Sequence, residues 1–272
     1  MPTLAQLNQR YAQLLQHTQE LPQAGSRGVT VCGHLCGWAT AQAAACLANF
    51  EGVHLSDHAV HIAWAQAPGP QVDALLARIA QHLNTAGLIK SWRGELLNVM
   101  AYNHAIAAIE RGATRPLGFI TQAVHLHAWS PDHHLWVAKR AASKATDPNM
   151  WDTLVGGLAV AFEDLDTSLL RESEEEAGLV PAQLDQRQPM RCLMRMHRQL
   201  PEGYQVEDVL VSDCILAADT IPHNKDGEVS EIRLLSIPEW WQMTLEGAFT
   251  LEAELVLIDS VRTKLNTGIL LK

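Results

Sequence analysis

Seven residues at fixed intervals constrain this chain more than any other feature: Gly157, Glu163, Arg171, Glu172, Glu175, Glu176 and Gly178, in the pattern G-x5-E-x7-R-E-x-x-E-E-x-G. Leu169 to Ala177 holds good helix formers and neither Pro nor Gly, and Gly178 suits the left-handed residue that closes a helix. On such a helix Glu172, Glu175 and Glu176 are related by i+3 and i+4 and share one face, while Glu174 turns away. Clustered carboxylates repel, and each raises its neighbour's pKa unless a cation sits between them. An acidic run is ordinarily a solvated helix face. Here Gly156-Gly157 precede the helix by a loop, Arg171 stands where it pairs with a carboxylate, and Glu163 adds an acid from the loop. These neighbours turn the reading towards a metal platform. Hard oxygen ligands in that number suit Mg2+, with Mn2+ as the other candidate, and such ions are completed by water and substrate phosphates.

Length and charge bound the rest. A chain of 272 residues is long for one domain around this helix and implies two. Residues 1–115 carry 7 Lys/Arg against 6 Asp/Glu, and residues 116–272 carry 13 against 24, a local net of −11. That acidic half argues against nucleic acid or an anionic membrane as a primary partner. No stretch reads as a membrane span or a signal sequence, and the five cysteines are an odd number in apolar surroundings, so a reduced cytoplasmic protein is expected. Cys32-G-H-L-Cys36 lacks a second ligand pair at zinc-finger spacing and reads as buried thiols. His133-His134 beside Pro131-Asp132 reads as a hairpin tip.

Along the chain, residues 3–20 fit an amphipathic opening helix, Val29 to Cys32 a strand, Ala39 to Phe50 a helix and His54 to Trp64 a strand. Apolar residues at 72, 75, 76, 79 and 83 mark an amphipathic helix closed at Gly87, and a strand-like L-L-N-V-M-A-Y follows. Residues 1–115 are thus expected to form a small α+β domain, suited to dimerisation or to covering a site. Residues 116–272 supply a hairpin (Ala123–Trp129 and Leu135–Lys139), the acidic helix, a half-buried strand Met190–Met196, its partner Val206–Leu216 and a closing helix Leu251–Leu265.

The seven-residue pattern resembles the Nudix box, the signature of hydrolases that split a diphosphate linked to another group. The flanks narrow the resemblance. V-H-L-H (124–127), W-V-A-K-R (136–140), K-A-T-D-P-N-M-W-D-T-L-V-G-G (144–157) and P-H-N-K-D-G-E-V-S-E-I (222–232) are similar to Nudix proteins related to thiamine pyrophosphokinase, as are W-R-G-E-L (92–96) and I-E-R (109–111). Those proteins carry an extra N-terminal domain. The resemblance implies an α/β/α sandwich with a mixed sheet, preceded by the α+β domain. It implies a metal held by the carbonyl of Gly157 (or Gly156) and by Glu172, Glu175 and Glu176, with Glu163 in support.

It implies catalytic roles for Glu172, Glu175 and Arg171, and a base from a loop glutamate beyond the box, Glu228 first and Glu231 second. Lys144, Arg140, Asp152 and Trp151 are the substrate-binding candidates, with Lys139 a further cation nearby. Trp151 stands where the family carries Leu in Pro-Gly-Met-Leu-Asp, so it either reshapes a pocket wall or stacks on the ligand. Ser173 replaces the usual apolar residue of the box. The implied reaction converts thiamine diphosphate, or its oxidised or deaminated analogues, to the monophosphate and phosphate. ADP-ribose and reduced NAD are alternative substrates, and a non-catalytic ligand sensor is a third reading, disfavoured because every box glutamate is present. A small-molecule diphosphate and a second copy of the chain are the expected partners.

Overall fold

The computed structural model describes residues 1–144 and 146–271. Helix α1 (Leu4–Leu15) opens with a capping box between Thr3 and Gln6. Strands β1 (Arg27–Val31) and β2 (His34–Ala39) form a hairpin whose turn places Cys32 and Gly33 at positive φ. Helix α2 (Ala41–Cys46), capped by Thr40, follows. The expected helix from Ala39 to Phe50 is therefore shorter at both ends: Ala39 is the last residue of β2, and the helix stops at Cys46. Strands β3 (Val53–Leu55) and β4 (Ala59–Ile62) replace the single strand expected at His54 to Trp64. Ser56 makes the break: its hydroxyl accepts from the Ala59 N–H at 3.1 Å and its own N–H donates to the Ala59 carbonyl.

The four strands lie in the order β2-β1-β4-β3, with β1 and β4 parallel. Helix α3 (Pro70–Thr85) begins with Pro at its first turn and buries Leu76, Ile79 and Leu83 against Val29, Val31 and Ile62 of this sheet. A hairpin of β5 (Leu96–Ala101) and β6 (His104–Glu110) and a short helix α4 (Thr114–Leu117) complete the first core.

The second core is built on a seven-stranded sheet. Its strands are β7 (Ile120–Trp129), β8 (Leu135–Arg140), β9 (Trp151–Thr153), β10 (Val155–Leu158), β11 (Arg191–Leu200), β12 (Gly203–Ile215) and β13 (Val229–Leu235). The order is β11-β12-β7-β8-β13, with β10 also on β7 and β9 also on β8. β7 and β12 run parallel and the other pairs antiparallel, so the sheet is mixed. Helix α5 (Leu165–Ala177) packs Leu169 and Ala177 on one face, against Val124, Leu126 and Leu210.

Helices α6 (Ile237–Leu245) and α7 (Leu251–Asn266) lie on the opposite face, where Val256 meets Val209 and Val211. Trp129, Val137 and Trp240 fill the same layer, and the Trp129 indole N–H donates to Ser260 Oγ at 3.0 Å. Helix α1 joins this second core through Leu7 and Leu14, although in sequence it precedes the first. The result is an α/β/α sandwich with a small α+β unit before it. Among the described residues no helix is long and apolar enough to cross a membrane.

Candidate active site

Helix α5 is fixed at both ends by its own sequence. Asp164 caps it, accepting from the Thr167 N–H at 2.8 Å, and Gly178 closes it at φ 63°. Ser173 sits buried and turns its hydroxyl onto the Leu169 carbonyl at 2.7 Å, which lets a polar residue occupy an apolar position. This register sets Glu172 and Glu176 against the glycines of β10, with Glu175 on the same helix face. Gly157 lies directly against Glu172: a Cβ there would overlap the Glu172 carboxylate. The neighbouring Gly156 N–H donates to Glu176 Oε2 at 2.9 Å.

The acids are met by cations. Arg171 Nη1 donates to Glu172 at 2.9 Å and to Glu175 at 3.0 Å, and its Nε reaches Glu163 at 3.3 Å. Lys144 stands 3.4 Å from Glu176 and also pairs with Glu228. Arg140 pairs with Asp152 at 3.0 Å and donates to Thr146. Burial moves the Glu176 carboxyl up to about 7 although Lys144 and the Gly156 N–H favour its charged form. Glu172 is also raised by burial, against the pull of Arg171. At Glu228 burial acts upward, but Lys144 prevails and holds the carboxyl below its usual range.

A cleft of about 340 Å³ runs over this platform. Lys144, Arg140, Asp152, Gly157, Arg171 and Glu172 line it, together with Gly156, Glu175 and Glu228. Glu176 faces a small recess beside it. Trp151 is a correction to the sequence reading: it is 7% exposed in the second core and does not line the cleft. Strand alternation explains this, because Asp152 faces the cleft and its neighbour on β9 must face the other side. Lys139 follows Trp151, its ammonium 5.8 Å from that ring. Glu231 lies along the exposed side of β13, nearest Arg233. Glu163 bonds Ser168 and Arg171 and so orients the arginine instead of lining the cleft.

Several cleft residues were not read from the sequence. His125 is buried on β7, opposite Gly156, and shares a 3.0 Å hydrogen bond with Thr153 Oγ1 through Nδ1. Thr153 gives its proton to the Val155 carbonyl at 2.8 Å, so Nδ1 carries the hydrogen and Nε2 is left as an acceptor without a partner. Burial lowers the His125 pKa and keeps the ring neutral. Further along the floor lie Gln205, Glu207, Arg115, Arg198 and Glu252. Glu207 accepts from Arg115 at 2.8 Å, from Thr121 at 2.6 Å and from Gln205 at 2.7 Å. Lys90, Glu95 and Arg111 from the first half form the facing wall. A local hint was the pair Gln205 and Glu207, two residues apart and so on one face of β12.

Among the described residues no three His, Cys, Asp or Glu side chains are gathered at metal-binding spacing, because the glutamates turn to Arg171 and Lys144. The donors nevertheless fit a hard divalent cation. Glu172, Glu175 and Glu176 share one helix face against a glycine backbone that no side chain can crowd, and positive charge already neutralises them.

The α/β/α sandwich carries this glutamate helix against the glycines of β10, and residues 120–252 match the family model of the NUDIX domain. Over 191 residues, 68% of this chain, it is 29% identical to Nudix hydrolase 24, chloroplastic, of Arabidopsis thaliana, covering 52% of that protein. It is 33% identical over 93 residues to an uncharacterized Nudix hydrolase of Streptomyces coelicolor, covering 34% of this chain and 51% of that one. A solved structure from Deinococcus radiodurans is similar at 20% identity and a TM-score of 0.44, covering 61% of this chain and 96% of that chain. The chain spans about half the length of the curated relatives it matches, 52%, 59% and 50% for three of them.

Proposed function

We propose that this protein is a metal-dependent diphosphate hydrolase, and the observation that carries the reading is the face of Glu172, Glu175 and Glu176 set against Gly156-Gly157 with Lys144 and Arg140 on the same cleft. The three glutamates and the Gly157 carbonyl would hold Mg2+ or Mn2+. Such an ion, when bound, neutralises phosphate oxygens and acidifies a water. The chain's own groups do the rest. Lys144 and Arg140 attract and orient the terminal phosphate, and both already carry carboxylate partners that a phosphate can replace. Arg171 keeps the helix carboxylates apart and pointed into the cleft. Glu228, exposed at its rim and held in the charged form, is the acceptor for a proton from the attacking water.

As substrate we propose thiamine diphosphate or its oxidised or damaged analogues, giving the monophosphate and phosphate. The flanking motifs of residues 92–157 and 222–232 support this. All five cysteines are free thiols, in keeping with a reducing, cytoplasmic setting. The test is phosphate release with Mg2+ from thiamine diphosphate, its oxo and oxy forms, ADP-ribose, reduced NAD and nucleoside triphosphates. Thiamine compounds should be turned over best. Cleavage of ADP-ribose far above every thiamine compound would replace this substrate with a nucleoside diphosphate derivative.

A further inference from the structure

A buried amide faces the cleft well away from the glutamate helix. Gln205 is 4% exposed and lines the cleft floor. Its Nε2 donates to Glu207 Oε1 at 2.7 Å. A carboxylate only accepts, so the amide is oriented by this bond, and Oε1 is left buried without a partner among the described residues. Glu207 is held in turn by Arg115 at 2.8 Å and Thr121 at 2.6 Å, so it cannot swing round to relieve the amide. Arg198 stands across β11 from Gln205 and is engaged by Glu252 at 3.2 Å. The arginines and carboxylates here are thus paired with one another, and the Gln205 carbonyl oxygen is the acceptor this end of the cleft offers a ligand.

Register gives the distance. Val206 pairs with Ile120 and Gly156 pairs with His125, so Gln205 and Gly156 are offset by six residues along the strands. At ~3.3 Å per residue that is roughly 20 Å, with Ala123 leaving the floor between them low. A diphosphate seated at Gly156–Glu176 would extend the group attached to it towards Gln205.

We propose that Gln205 Oε1 accepts an N–H from a nitrogen heterocycle, of the aminopyrimidine or aminopurine class, at the end of the substrate remote from the phosphates. Glu207 orients the amide. This inference rests on the reading that the phosphates occupy the glutamate end. Removing the N–H leaves the buried acceptor unpaired in the complex, which weakens binding about tenfold or more.

The test is calorimetric titration of the full chain with Mg2+ present, so that the phosphate seat is complete, using monophosphates that hold no diphosphate bond to turn over. The ligands are thiamine monophosphate, its deaminated form (which keeps a ring N–H), its 4-dimethylamino derivative, AMP and N6,N6-dimethyl-AMP. At least one N–H-bearing parent should bind, and its dimethylated counterpart about tenfold more weakly. In Gln205→Met the two should bind within about twofold of each other. Equal binding of parent and dimethyl forms to the unmodified protein overturns the proposal, as does absence of binding by every parent or an unchanged ratio in Gln205→Met. If Gln205→Met does not fold, the ratio in the unmodified protein decides alone. Phosphate release, measured separately, tells the two readings apart. An intact binding ratio without release sinks the hydrolase and keeps the subsite, and release without the ratio does the reverse.

Discussion

Gly157 shows how a single missing Cβ shapes the site. A methyl there would overlap the Glu172 carboxylate, so Gly157→Ala must push the glutamate out of its bond to Arg171 or move the loop. Misplacements of this size cost on the order of 100-fold in rate. We expect Gly157→Ala to lose phosphate release to that extent while far-ultraviolet circular dichroism stays unchanged, and full activity would contradict the account. Glu207 carries a prediction of another kind. Burial acts to raise its pKa, but Arg115, Thr121 and Gln205 prevail and the folded value lies below the ordinary one. Its contribution is therefore complete above the unfolded carboxylate pKa of about 4.3 and is lost as pH falls through the lower folded value. Denaturant unfolding of the unmodified protein and Glu207→Gln should show a stability gap that narrows as pH drops below about 4, and a gap independent of pH would refute this. At this scale the box residues were legible because their spacing alone puts Glu172, Glu175 and Glu176 on one helix face. Trp151 was misplaced because a lone aromatic beside a motif does not reveal which face of a strand it takes, and Gln205 was missed because its meaning depends on partners in β7 and β11.

Among the elements, helix α5 carries the functional side chains; its end at Gly178 was read, but its start was placed at Leu169, four residues late, because the Asp164 cap was passed over. Replacing Asp164 with Ala removes its bonds to Thr167 and should cost about 1 kcal/mol, measured as a shift of the urea midpoint with unchanged slope. Helix α3 was equally plain from its apolar period, and Leu76→Ala within it should cost about 2–5 kcal/mol by the same measurement. An unchanged midpoint in either variant would contradict the packing described. Short strands were harder. The sequence His54 to Trp64 reads as one strand until the Ser56 side chain is seen to close a turn onto Ala59. Helix α6 announces itself through a capping box of Ser236 and Glu239 with Pro at the first turn, a signal present in the sequence and passed over. Strands β9 and β10 are too short to carry a periodic signal and exist because β8 and β7 pair with them.

In the whole molecule, the first half walls the cleft that the seven-stranded sheet floors, through Lys90, Arg111 and Arg115. We propose that residues 1–115 and 116–272 are two domains that share this site, with α1 reaching across to α7. Arg115 links them directly, because Arg115→Ala would strand the buried Glu207 charge. Breaking such a pair costs about 3–5 kcal/mol, so that variant should unfold at clearly lower urea, and no change would argue against a structural role for the link. None of this joining was visible in composition, since contacts between distant segments leave no local pattern. The central claim is that the glutamate face of α5 is a divalent-metal platform for diphosphate hydrolysis. The most direct measurement is phosphate release from thiamine diphosphate and its oxo and oxy forms, titrated with Mg2+, for the unmodified protein and Glu176→Gln. The account predicts release that rises with Mg2+, stops on chelation and falls at least about 100-fold in Glu176→Gln at unchanged thermal midpoint. Release that persists in chelator, or a Glu176→Gln protein of full activity, would contradict it.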